Sequence, residues 1–118
     1  EEVLKPNLAL NTLELIHSND EKSLLVSNDD FFTLQWMGLS SLEAAKTLRK
    51  NHPMKENMLI YRRNHKNRYL YLIVSGQYNS RIDADNTRVI YARRGYPGKP
   101  WIKTIKAVKK EISELKPN

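Results

Sequence analysis

The feature that most constrains the fold of this chain is a repeated helix start. Ser40-Ser41-Leu42-Glu43-Ala44 and Ser80-Arg81-Ile82-Asp83-Ala84 lie forty positions apart, and each sets a serine three residues before an acid. In that pattern the hydroxyl and the carboxyl satisfy free amides at a helix N-terminus. Before the first start, Phe32-Thr33-Leu34-Gln35-Trp36 alternates with period two. The alternation puts Phe32, Leu34 and Trp36 on one face of a strand, with Thr33 and Gln35 on the other. After it, Leu42, Ala45 and Leu48 form one helical stripe, which stops by His52 because Pro53 excludes the α conformation there. Met58 to Arg63 and Arg68 to Ser75 read as strands joined through the polar loop Asn64-His65-Lys66-Asn67, with Gly76 ending the second. In the second capped helix Ile82, Val89 and Ile90 are expected to face a core. Pro97-Gly98-Lys99-Pro100 is a turn, and Trp101 to Ile105 is a short last strand. Ile105, Val108, Ile112 and Leu115 then repeat at the spacing of an amphipathic terminal helix.

The element order is therefore β-α-β-β-α-β, the order of ferredoxin-like and RNP-like α+β folds. It predicts a four-stranded antiparallel sheet with two helices on one face, an added C-terminal helix and an N-terminal arm. The other sheet face is expected to stay open to solvent. A length of 118 residues is room for one domain. Residues 1–30 read as an acidic arm or linker and residues 31–118 as the main domain. Within the arm, Asn11-Thr12-Leu13-Glu14 opens a short helix with Leu13 and Ile16 on one face, or Leu8, Leu10 and Leu13 pack extended along another surface. Ser27-Asn28-Asp29-Asp30 is a polar break. The chain begins at Glu1 without Met, and EEVLKPN is not a signal peptide. It reads as a piece of a longer protein that could have carried a membrane anchor.

Composition narrows the function classes. Hydrophobic residues are 40% and charged residues 28%, a globular balance. Cysteine is absent, which excludes disulfides, thiolate metal sites and cysteine nucleophiles without fixing a compartment. No stretch approaches the ~20 apolar residues of a membrane span. Residues 1–30 hold two lysines against seven acids, net −5, whereas residues 31–118 hold 18 basic and six acidic residues, net +12. A basic body attracts polyanions: nucleic acid, anionic lipid or an acidic cell-wall polymer. His17, His52 and His65 are scattered without metal-ligand spacing. Asp83 and Asp85 sit in a helical first turn, where acids favour the dipole. No nucleophile–base set or phosphate loop is present. An enzyme is not expected, nor any catalytic residue, cofactor or metal.

If Ile60, Leu70, Leu72, Val74 and Ile102 point toward the helices, then Thr33, Leu59, Ile73 and Ser75 point away from them. The open face then displays Gln35, Tyr61, Arg63, Tyr69, Tyr71, Trp101 and Lys103. Flat amphipathic rings among amide and cationic donors make a binding platform. The competing reading is packing alone: aromatics favour strands anyway, and a one-residue register slip would bury every ring.

These residues also carry a family resemblance. Val74-Ser75-Gly76-Gln77-Tyr78-Asn79-Ser80, followed by Ala84, resembles the central signature of SPOR domains, the sporulation-related repeat. Thr33-Leu34-Gln35 and Lys99-Pro100-Trp101-Ile102-Lys103 resemble the first and last strands of a SPOR domain from a bacterial cell-division protein. The likeness runs from Phe31 to Leu115, nearly three quarters of the chain. It implies a non-catalytic periplasmic module that binds septal peptidoglycan, specifically glycan strands stripped of stem peptides. It further implies a single-pass inner-membrane parent in a Gram-negative bacterium, recruited to the division septum with other cell-division proteins as possible partners. Membrane attachment would come only through that parent's anchor, and no nucleic acid is expected. Gln35 and Trp101 match the family's glycan-binding positions; Ser75 is carried with them, and Tyr78 reads as a core plug. Met37-Gly38 departs from serines in the relative, Leu70 stands where it has an aromatic, and residues 1–30 have no counterpart.

The expected glycan-binding set is Gln35, Tyr61, Arg63, Tyr69, Tyr71, Ser75, Trp101 and Lys103. Rings suit sugar C–H faces, Gln35 suits an acetamide, and Arg63 and Lys103 suit lactyl carboxylates. Two other classes remain. An RRM-type single-stranded nucleic-acid binder shares the element order, but Arg68-Tyr69-Leu70-Tyr71 lacks the glycine and paired phenylalanines of its third-strand motif. A protein-docking module would use the arm or the terminal helix to recruit another division protein.

Overall fold

A computed structural model describes residues 15–117. In chain order these form α1 (Asn19–Leu25), β1 (Phe32–Leu39), α2 (Leu42–Lys50), a 3-10 turn (Lys55–Asn57), β2 (Met58–His65), β3 (Arg68–Tyr78), α3 (Arg81–Arg93), β4 (Trp101–Thr104) and α4 (Ile105–Ser113). The strands make one antiparallel sheet in the order β2-β3-β1-β4. This is a ferredoxin-like α+β fold with an extra C-terminal helix. No helix among the described residues is long and apolar enough to cross a membrane.

Both repeated helix starts are capped by serine, though the first cap is Ser41, one residue later than the Ser40–Glu43 box expected from sequence. Ser41 Oγ accepts from the Ala44 amide and Ser80 Oγ from the Asp83 amide. The hairpin loop is tighter than the sequence implies. Asn64 and His65 belong to β2, and the turn is Lys66-Asn67 alone, both with positive φ (50° and 65°), the geometry that matches strand twist. Gly76 does not end β3. It carries the strand through to Tyr78 at φ +72°, with the Tyr78 ring folded over it. A Cβ there would collide with the Tyr78 ring and its hydroxyl. Gly76→Ala is therefore expected to cost about 2 kcal/mol or more in urea unfolding, from strained backbone and overpacking together. An unchanged midpoint would mean that the ring swings away freely.

The sheet is covered on both faces, which corrects the expectation of an open one. On one side α2 and α3 bury Trp36, Ala45, Met58, Ile60 and Ile73, with Tyr71 and Leu39 packed alongside. His52 is buried there between Trp36 and Tyr96. Its Nε2 lies 3.1 Å from the Pro97 carbonyl and its Nδ1 accepts from the Met54 amide, so it is a structural fastener carrying its proton on Nε2. On the other side α4 lays Ile105, Val108 and Ile112, with Leu115 just beyond its end, over Tyr61, Leu72 and Val74. β3 thus divides its side chains in an unexpected sense. Leu72 and Val74 meet α4, while Ile73 lies beneath α2 and α3. Thr33, expected outside, is buried and donates to the Ser75 and Gly76 carbonyls. Leu59, also expected outside, packs half-buried on the α4 cluster. Conversely, Ile82, Val89 and Ile90 of α3 are exposed, and Ala84 takes the core position.

The arm closes one of the sheet's two edges. The capping box at Asn11–Glu14 lies outside the described residues, but a second one, Ser18-Asn19-Asp20-Glu21, starts α1. Its acids meet β2, the edge strand. Asp20 Oδ2 accepts from the Ile60 amide (3.0 Å) and Glu21 Oε2 from the Arg62 amide (2.9 Å). Carboxylates thereby occupy the outward N–H groups that a bare edge would offer to another chain. Leu24 joins the α4 core, and Asp29 pairs with Lys109.

Candidate functional site

The exposed remnant of the α4-covered face lies along β1 and β4. Gln35 pairs with Trp101 in their antiparallel ladder, so both side chains leave the same side of the sheet. The Trp101 residue is 73% exposed, beyond the reach of α4. Three residues along β1, past a register irregularity between Gln35 and Met37, Gly38 lies against Leu70 and Leu72, whose side chains a Cβ would strike at 2.8–3.0 Å. The leucine side chains occupy the space a side chain at position 38 would need, so this strip of the face has no projecting group at that position.

Gln35 is held from behind. Lys103 Nζ donates to Gln35 Oε1 (2.9 Å), to Tyr61 Oη (2.9 Å) and to Glu111 Oε1 (2.6 Å). The Tyr61 hydroxyl donates to the same Glu111 oxygen (2.6 Å), and Arg63 Nη1 stands 3.5 Å from Glu111 Oε2. An ammonium only donates, so the Gln35 carbonyl oxygen must face Lys103, which leaves its NH2 group as the end not engaged by Lys103. Burial, followed by the hydrogen bond and charge of Glu111, pushes the Tyr61 phenol far above its ordinary range, so it stays a neutral donor.

The structure brings together five of the eight residues expected from sequence to bind glycan, and part of that group differs in role. Gln35, Tyr61, Arg63 and Lys103 do share a face with Trp101. Tyr61 is fully buried beneath α4 and is no contact surface. Arg63 and Lys103, expected to meet ligand carboxylates, already share Glu111, a residue of α4 to which sequence reasoning assigned no part in the site. Ser75 is buried on the opposite side, where its hydroxyl accepts from Trp36 Nε1 (2.7 Å). Tyr71 faces α2 with Ile60 and Leu39. Tyr69 is T-stacked on Tyr71 at 6.4 Å, lies under the Arg62 guanidinium and donates to the Lys116 carbonyl. A single surface holding Tyr69, Tyr71, Trp101 and Gln35 is thus not formed. Tyr78 is half-buried over Gly76, its phenol raised to about 12 by burial and the neighbouring Tyr91.

Among the described residues no cluster of three or more His, Asp or Glu side chains is placed to hold a metal ion. A cleft of about 520 Å³ lies between α1 and α2, lined by Ile16, His17, Leu42, Lys46, Arg49 and Tyr71 among others. Its charges are largely paired, Asp20 with Arg49 and Glu21 with Arg62. No family model matches the chain, and no curated protein matches it.

Proposed function

We propose that this chain is a SPOR-like, non-catalytic module that binds peptidoglycan glycan strands lacking stem peptides and so directs a larger protein to the bacterial division septum. The observation that carries the reading is the Trp101–Gln35 pair: a solvent-facing indole beside an amide whose orientation is fixed by Lys103. An indole offers a flat apolar surface to the C–H face of a pyranose. The NH2 of Gln35 then meets an acceptor on the sugar, and the acetamide carbonyl is the one every residue of such a strand repeats. Stem peptides on the lactyl group would crowd this narrow strip, which accords with a preference for stripped glycan. The alternative of a base-stacking RNA platform is disfavoured, because α4 covers the middle of β3 through Leu72 and Val74.

The test is retention on purified sacculi, intact against amidase-treated. Several-fold greater retention on the stripped material is expected. Equal retention on both, or none on either, would overturn the proposal.

A further inference from the structure

We propose that the outer side of α3 is a second docking surface, and that its partner is an anionic lipid bilayer. The starting observation is the side of α3 that faces away from the sheet. Ile82 is 71% exposed, Val89 38% and Ile90 45%, although their residue types belong in a core. Ile82 and Val89 are seven residues apart, two helical turns, and so lie on one line along the helix. Ala84 and Tyr91 occupy the opposite line and face the sheet.

Cations stand near this apolar line: Arg93 shares it, Arg88 and Lys99 border Val89 in a groove, and Arg81 at the helix start lies over the Phe32 ring. Arg81, Arg88 and Arg93 belong to α3, Arg94 caps its end, and Lys99 follows in the next turn. Asp83 and Asp85 oppose these five, and Asp85 is already paired with Arg88. A groove of about 210 Å³ runs beside the line between Arg88, Val89, Gly98, Lys99 and Pro100. Aliphatic side chains flanked by arginines match the boundary of a bilayer, where anionic headgroups lie above hydrocarbon. A hydrated polyanion would engage the arginines but give Ile82, Val89 and Ile90 nothing to enter, since they cannot stack on bases or sugars. The surface is a convex helix, which fits a broad planar partner better than a peptide.

This face is independent of the Trp101 strip. α3 packs on the Trp36 side of the sheet, whereas Trp101 and Gln35 leave from the other. One molecule could therefore hold a bilayer and a polymer at once.

Co-sedimentation of the full chain with phosphatidylcholine vesicles, with and without phosphatidylglycerol, tests the proposal. Binding is expected only to the anionic vesicles and should fall steeply with added salt. The double substitution Ile82→Ser with Val89→Ser should weaken it about tenfold, and Arg88→Gln with Arg93→Gln should weaken it comparably. Ile82→Trp should strengthen it, which keeps the test informative if a serine variant misfolds. Failure to sediment with anionic vesicles at low salt would overturn the proposal. So would vesicle binding that follows the arginines but ignores Ile82 and Val89. Retention on sacculi should be unchanged in all these variants, so the two surfaces stand or fall separately.

Discussion

Trp101→Ala should leave the domain folded and weaken binding to peptide-free glycan by about 10–100-fold. The magnitude follows from the ~1.5–3 kcal/mol that a buried aromatic-sized apolar side chain contributes when water is excluded from it. Stability should barely change, within about 0.5 kcal/mol, because the side chain supports nothing in the core. Gln35→Ala should weaken binding less, up to about tenfold, as expected for one neutral hydrogen bond. It should also leave Lys103 with Tyr61 and Glu111 as its remaining partners. The chain has two tryptophans, and Trp36 is buried under α3. A glycan-induced change in fluorescence in the parent should therefore vanish in Trp101→Ala while urea unfolding, reported by Trp36, stays in place. Binding within twofold of the parent in both single variants and in the double variant would remove the strip as the site.

The element order was legible because each element carries its own local signal. The serine caps, Pro53 and the stripe Ile105–Val108–Ile112–Leu115 need no knowledge of the tertiary structure. Facing was harder, for a physical reason. In β3 both alternations are apolar or aromatic, Leu70-Leu72-Val74 against Tyr69-Tyr71-Ile73, since the strand is covered on both sides. Period two then says which residues go together but not toward which layer. The terminal helix was recognisable as amphipathic, yet its docking place was not, and its position decides that Tyr61 is buried. The same uncertainty affected α3: Ile82, Val89 and Ile90 are its most hydrophobic residues, but Ala84 is what fits against the sheet. Two signals were present and unread. Ser18-Asn19-Asp20-Glu21 has the serine-to-acid spacing read at the two other helix starts, and here both bonds of the box form. Glu111 is a lone acid among Lys109, Lys110 and the apolar stripe, and the structure turns it onto Lys103, Tyr61 and Arg63.

Removing the Glu21 carboxylate should be the most destabilising single change in the arm. Its side chain is almost fully buried and accepts four hydrogen bonds: from the Ser18 amide, the Arg62 amide, and Nε and Nη2 of Arg62. Burial by itself would raise its pKa. The bidentate Arg62 hydrogen bonds, the two amides and the guanidinium charge outweigh that and hold the group below its ordinary 4.5. Glu21→Ala strands a guanidinium with 18% side-chain exposure and frees an edge N–H, at an expected cost of about 3–5 kcal/mol. Against a total of about 5–15 kcal/mol, such a loss brings the fold close to its limit. Adding Arg62→Met to Glu21→Ala should recover part of the loss, because the uncompensated charge leaves with it. The pH dependence has a definite sign. A carboxyl whose pKa is lower folded than unfolded contributes its full stability above pH 4.5, and this is lost as pH falls through the lower folded value. Glu21→Gln should therefore flatten the acid limb of the stability profile while costing less than Ala at neutral pH. If Glu21→Ala unfolds at the parent's urea concentration, the arm is only resting on β2. If the predicted loss appears, the fourteen residues from Ser18 to Phe31 are as much a part of this fold as the sheet they border, because their acids terminate it.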